Sequence, residues 1–115
     1  MQYMLLIYGN EANRPSGAEL EKIMHEYGSF TQDIVRAGNF KAGDPLEPVT
    51  SAVTVRVRGN QTVTTDGPFA ETKEQLGGYY IVEATSREEA VAIAARIPGA
   101  RFGSIEVRPI RKLDM

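Results

Sequence analysis

Two strand–helix–strand patterns, one toward each end of a 115-residue chain, constrain this sequence more than any other feature. The first opens with Tyr3-Met4-Leu5-Leu6-Ile7-Tyr8, an unbroken apolar run closed by Gly9-Asn10. Such a run is expected of a strand in the middle of a sheet, buried on both faces. From Ser16 onward the apolar residues recur at Leu20, Ile23, Met24, Tyr27, Phe30, Ile34 and Val35, a helical stripe that stops at Gly38. Residues 40–46 then read as an edge strand and loop, with Gly43-Asp44-Pro45 as turn formers and Pro48 opposing a second long helix. The second pattern starts with the apolar strand 78–84. Ser86-Arg87-Glu88-Glu89 follows with the spacing of a capping box, in which serine and glutamate satisfy exposed amides at a helix start. Ala90, Val91, Ile93, Ala94 and Ile97 form that helix's buried stripe, and Pro98-Gly99 ends it before a last strand at 104–110.

Between the two patterns, Val53, Val55 and Val57 alternate with Thr54, Arg56 and Arg58, which predicts a half-buried strand. Gly59-Asn60 supplies a two-residue hairpin turn into 61–65. The order β-α-β, hairpin, β-α-β defines an α+β domain of the split βαβ, ferredoxin-like kind, with an inserted β-hairpin and an antiparallel sheet carrying both helices on one face. The other sheet face is left uncovered although its strands carry apolar side chains on both sides. Burying such a face gains about 25 cal/mol per Å², so a homodimer pairing sheet against sheet is expected.

Length and composition agree with one domain over 1–115 that folds throughout: 42% of the residues are hydrophobic and 24% charged, with no low-complexity run. No cysteine is present, which removes disulfides, thiolate metal sites and a cysteine nucleophile, and a cytoplasmic location is the expectation. The first residues read as a strand and not a signal peptide, and no apolar stretch is long enough for a membrane span. A net charge of −2 opposes nucleic-acid binding. Arg96, Arg101, Arg108, Arg111 and Lys112 concentrate positive charge near the C-terminus and are expected to form a solvated face paired with glutamates. There is no phosphate-loop or dinucleotide-binding pattern and one histidine, so no cofactor, metal site or serine triad is expected.

The run Asp66-Gly67-Pro68-Phe69-Ala70-Glu71-Thr72-Lys73-Glu74-Gln75-Leu76-Gly77-Gly78-Tyr79-Tyr80 joins the hairpin to the second pattern. It resembles the DGPF signature of the YCII-related family of bacterial proteins. The resemblance extends from Tyr3-Met4-Leu5-Leu6-Ile7-Tyr8-Gly9 to Pro98-Gly99-Ala100-Arg101 and Ile105-Glu106-Val107-Arg108-Pro109. It implies membership of the dimeric α/β barrel group, in which two ferredoxin-like sheets face each other, and gene neighbourhoods with extracytoplasmic-function sigma factors. It assigns no reaction. Where relatives often carry a histidine after Pro-Gly-Ala-Arg, this chain has Phe102.

Asp66 is the first candidate for catalysis. As a turn former it would cap the backbone amides of Phe69 or Ala70, with Pro68 fixing the next φ. Beside an apolar wall such as Phe69 it would instead be desolvated and suited to moving a proton. Gly67, Pro68, Phe69, Glu71 and Lys73 are candidate ligand contacts; Phe69 also reads as a core anchor and the Glu71/Lys73 pair as a solvated ion pair. Arg108 is a candidate anchor for an anionic group. Gly77-Gly78 permits a close backbone approach or a pocket floor. The family resemblance also implies a histidine of the first helix paired with an aspartate. His25 falls on the polar side of the helical stripe with Glu21, Gly28 and Gln32, and Asp44 reads as a turn residue, so no dyad is assigned. Two functions follow: an enzyme holding a small organic molecule between sheet and helices, or a non-catalytic ligand-binding or regulatory module linked to sigma-factor-controlled transcription.

Overall fold

A computed structural model describes residues 1–114 as six strands and two helices. β1 (Gln2–Gly9), β2 (Phe40–Pro45), β5 (Gln75–Glu83) and β6 (Ser104–Pro109) form one sheet in the order β2-β5-β1-β6. Every neighbouring pair is antiparallel. β3 (Val53–Arg58) and β4 (Gln61–Asp66) pair only with each other as a separate ribbon. Helix α1 spans Gly17–Arg36 and α2 spans Arg87–Ala95. The chain is therefore α+β with the expected strand order, and its sheet is open and does not close into a barrel.

The strand period of two sorts the sheet residues onto two faces. Tyr3 and Leu5 of β1 and Tyr80 and Val82 of β5 are buried with Phe30 and Ile34 of α1 and with Ala90, Ile93, Ala94 and Ile97 around α2. The Tyr80 ring meets Phe30 edge-on at 5.2 Å between centroids, and its hydroxyl shares a 2.7 Å hydrogen bond with Thr31 Oγ1. Both helices thus cover one face. Met4, Leu6, Tyr8, Tyr79 and Ile81 point the other way and stay half-buried, so β1 is central but not enclosed on both sides.

Local signals set the element ends. Gly38 takes φ +82° after α1, and Ser86 Oγ accepts from the Glu89 amide at 3.1 Å at the start of α2. Glu89 Oε1 accepts from Thr85 N at 2.8 Å, one residue before the position a strict capping box uses. The α1 stripe is narrower than its periodicity predicts. Ile23, Phe30 and Ile34 are buried, whereas Leu20, Met24 and Val35 are exposed because the sheet beneath reaches only the central ridge.

The ribbon departs most from expectation. Gly59 and Asn60 both adopt positive φ, 56° and 64°, the type I′ geometry that matches strand twist. Its valines are not half-buried, however: Val53, Val55 and Val57 are about 60% exposed, because among the described residues no element other than its partner strand packs closely on this ribbon.

Candidate functional site

A cleft of about 320 Å³ opens on the helix-covered side of the sheet, where β1 ends, β5 begins and the chain enters α1. Ile7, Ile23, Tyr27, Leu46 and Phe102 give it apolar walls, and Gly77, Gly99 and Gly103 let backbone form part of its floor. Glu11, Arg14, Glu19 and Gln75 contribute the polar groups. This combination of an apolar lining with a few polar groups is typical of small-molecule sites, and the volume matches a compact ligand.

Glu11, Gln75 and Tyr27 are each held by a hydrogen bond. The Glu11 amide donates to Gln75 Oε1 at 2.9 Å, and the Glu11 carboxylate accepts from Val49 N with both oxygens at 3.3 Å. The segment after β1 is thereby tied to β5 and to the loop after β2. Tyr27 Oη accepts from Gly99 N at 3.2 Å, which leaves the phenolic proton free to be donated. Burial pushes the Tyr27 hydroxyl above its ordinary pKa of 10.0, so it remains a neutral donor at physiological pH. Arg14 has no carboxylate within ion-pair distance among the described residues.

Next to Tyr27, Glu26 accepts from Arg101 Nη2 at 2.7 Å and pins the short 3-10 turn over Pro98–Arg101 against α1. The Arg101 hydrogen bond holds the Glu26 carboxyl below its ordinary 4.5. A depressed carboxylate adds stability that is complete above the unfolded value and fades as pH falls through the folded one. The melting temperatures of the wild type and Glu26→Gln should therefore differ modestly at neutral pH and converge below about pH 4. A constant difference down to pH 3 would show that the charge plays no part.

Most of the residues singled out in the sequence lie outside this cleft. Asp66 is exposed at the end of β4, and Phe69 is 81% exposed on the following loop, not a core anchor, since no element among the described residues covers it. The turn is closed by Gly67 at φ +101°, whose amide donates to Ala52 O at 2.7 Å and whose carbonyl accepts from Thr54 Oγ1 at 2.9 Å. Pro68 and Glu71 are exposed on the same loop. Lys73 borders a shallow depression with Tyr8, Asn10, Thr72, Glu74 and Phe102, beside the cleft. Arg108 is on the open sheet face and bonds Glu106 through Nε at 2.9 Å, and Arg101 bonds Glu26, so both arginines are paired with glutamates. Gly77 lines the cleft, and a side chain at Gly78 would press on the backbone of Asp44 and Pro45 at 3.1–3.3 Å.

His25 and Asp44 are not brought together. Asp44 Oδ2 accepts from Tyr79 Oη at 3.0 Å on the open face, whereas His25 is exposed on α1, across the sheet. The Asp44 carboxylate raises the pKa of Tyr79 above its usual 10.0. Tyr27, Arg14, Glu11 and Gln75 were not identified as site residues from the sequence. The available signal was a hydroxyl at Tyr27 inside an otherwise apolar stripe, since a half-buried phenol needs a polar neighbour. Among the described residues no three His, Asp or Glu side chains converge as a metal site, and no helix is long and apolar enough to cross a membrane.

The geometry defines an open-faced ferredoxin-like α+β domain with a small cleft between sheet and helices. The model of the YCII-related domain matches residues 1–114, and the chain belongs to that family. It is 38% identical over 114 residues to an uncharacterized protein of Rhizobium meliloti (strain 1021), covering 96% of this chain and 92% of the relative. Among solved structures it resembles 5-chloro-2-hydroxyhydroquinone dehydrochlorinase (TftG) from Burkholderia phenoliruptrix AC1100, in complex with 2,5-dihydroxybenzoquinone. That likeness has a TM-score of 0.54 at 15% identity over 96% of this chain and 94% of TftG, and it shows a shared fold.

Proposed function

We propose that this protein is a bacterial, cytoplasmic small-molecule enzyme of the DGPF-bearing YCII subgroup that works as a homodimer through its open sheet face. The cleft against α1 carries the reading, because its apolar walls surround one neutral phenolic donor, Tyr27, and one unpaired guanidinium, Arg14. That pair suits a small organic molecule with one anionic group for Arg14 and a carbonyl or hydroxyl oxygen for Tyr27, in a lining that also holds the carboxylates of Glu11 and Glu19. TftG, a dehydrochlorinase, supports small-molecule chemistry on this fold by analogy only. Asp66 is the acid–base candidate, with Gly67, Pro68, Phe69, Glu71 and Lys73 around it and Arg108 as a further anionic anchor. Asp66 does not line the cleft in the isolated chain, so its acid–base role requires a second copy of the chain to bring a substrate to it.

The test is a thermal-shift panel of small organic acids, aromatic metabolites and phosphates on the wild type, Tyr27→Phe and Asp66→Asn. A ligand that binds the folded state raises the melting temperature. An aromatic or enolisable carboxylate should stabilise the wild type. Loss of one hydrogen bond in Tyr27→Phe should weaken affinity by about fivefold to tenfold. Asp66→Asn should fold normally and lose turnover of the compound so identified. A panel with no stabilising compound overturns the cleft reading.

The exposure of Asp66 and Phe69 favours a second reading, a regulatory module whose loop recognises a metabolite or a protein without chemistry. Saturable binding that Asp66→Asn abolishes, with no product formed by the wild type, selects it.

A further inference from the structure

We infer that Phe102 is a specificity-determining residue of the cleft, a fixed aromatic platform that selects a ligand whose body is a flat ring over one whose body is saturated; the inference rests on the cleft reading above. Phe102 borders both the cleft and the shallow depression beside it, together with Tyr8, Asn10 and Asn13. It is 60% exposed there. A single exposed aromatic is ordinary on a protein surface. This one is set apart by bordering two concavities at once and by how firmly it is held. The Phe102 amide donates to Gly99 O at 3.2 Å and the Gly103 amide to the same oxygen at 2.9 Å. Gly103 in turn lies against the Tyr8–Gly9 backbone with no space for a side chain. The backbone is thus fixed on both sides of the ring, and only the side-chain torsions remain to be set. The Arg101 guanidinium carbon lies over the ring, 5.3 Å from its centre, in a cation–π contact that restrains them. Arg101 is itself tied to Glu26 of α1 at 2.7 Å. A ring ordered before the ligand arrives adds little to the cost of association.

The charges around the two concavities point to the same kind of ligand. Their linings carry three carboxylates, Glu11, Glu19 and Glu74, against two cations, Arg14 and Lys73. Glu11 accepts from Val49 N, and Glu74 accepts from Ser104 Oγ at 2.8 Å. That balance admits one anionic group, at Arg14, and opposes a second, so the remaining affinity comes from apolar contact. Ile7, Ile23 and Leu46 favour any apolar body alike. Phe102 adds an offset-stacked or edge-to-face contact only for another ring. The class so selected is a singly anionic aromatic acid with a hydroxyl or carbonyl oxygen for Tyr27.

Titration calorimetry with 4-hydroxybenzoate and trans-4-hydroxycyclohexanecarboxylate on the wild type, Phe102→Leu and Phe102→Tyr tests this. The two acids match in carboxylate and hydroxyl, and the saturated one offers at least as much apolar surface. A site that only buries area therefore does not favour the aromatic acid. The wild type should bind the aromatic acid at least about threefold more tightly than the saturated one. Phe102→Leu should bring that ratio to about one, and Phe102→Tyr, which keeps the ring, should retain it. The ratio is read within one protein, so a change in a variant's stability does not move it. A wild type that binds neither acid overturns the two-point reading of the cleft, and the platform with it. Binding of both acids with a ratio near one in the wild type, or a preference that Phe102→Leu leaves unchanged, overturns the platform alone.

Discussion

Leu5→Ala should lower the unfolding free energy by about 3–4 kcal/mol, the range that a fully enclosed leucine loses with its transfer energy and residual cavity. Leu5 is 0% exposed in the middle of β1, paired with Tyr80 on one side and Val107 on the other. It points into the layer formed by Phe30, Ile34, Ile93 and Ile97, so four elements would border the void. Neighbours on two ladders and two helices cannot all move inward, because each is fixed by its own hydrogen bonds. For a domain of this length the loss corresponds to a fall of roughly 10–20 °C in melting temperature. Urea unfolding should show a lower midpoint with an unchanged slope. Met24→Ala, on the exposed side of α1, should change stability by less than about 0.5 kcal/mol. Comparable losses for the two variants would mean that the core is not where the fold places it.

That core was largely legible in the sequence, for a reason the two variants illustrate. Leu5 belongs to a run that is apolar at every position, and such a run has few places in a small domain other than the middle of a sheet. Period 2 then decides which of its residues meet the helices. The helical stripe was legible as an axis but not as a width. Met24 and Val35 continue the spacing of Ile23 and Ile34, and only the reach of the sheet below decides which of them is covered. Gly59-Asn60 fixed the hairpin locally, since both positions need positive φ. What covers its valines is a long-range property, and alternation alone cannot separate a strand buried by its own chain from one awaiting a partner.

The candidate site was legible as a location between sheet and helices, and less so as a set of residues. Asp66 and Phe69 drew attention because turn chemistry and ionisable groups cluster around them, yet local chemistry says nothing of how far a loop stands from the body. Tyr27 was absorbed into the apolar stripe, where its ring belongs, while its hydroxyl reaches Gly99, 72 residues away in sequence. Gly77, with Gly78, was read as a close backbone approach or a pocket floor, and Gly99 as a helix stop. That Gly77 and Gly99 together keep the floor of the cleft free of side chains depends on α1 and the 3-10 turn arriving beside them.

Gly103→Ala should cost about 3 kcal/mol or more and disturb the cleft at the same time, at the upper end of what overpacking produces. A methyl group at this position would overlap the Tyr8 carbonyl oxygen and lie 3.1 Å from Gly9 Cα. Both are backbone atoms of β1, so no change of rotamer relieves the overlap. The Gly103 amide also donates to Gly99 O at 2.9 Å, and the next residue, Ser104, pairs with Tyr8 at the end of the β1–β6 ladder. The chain must therefore release either the close of the 3-10 turn or the last rung of the sheet. Since Tyr8, Gly9, Gly99, Phe102 and Gly103 all line the cleft, either release changes its shape. Gly28→Ala is the matching control: nothing lies within 4 Å of the added carbon on α1, and replacing a helix-interior glycine should stabilise by about 0.5–1 kcal/mol. Thermal melts of the two variants should move in opposite directions. Amide exchange in Gly103→Ala should accelerate first at Tyr8 and Ser104, ahead of Leu5 and Val107, because the strain enters at one end of the ladder. A Gly103→Ala protein with the wild-type melting temperature would mean that β6 does not approach β1 this closely, and the floor of the cleft would then have to be redrawn.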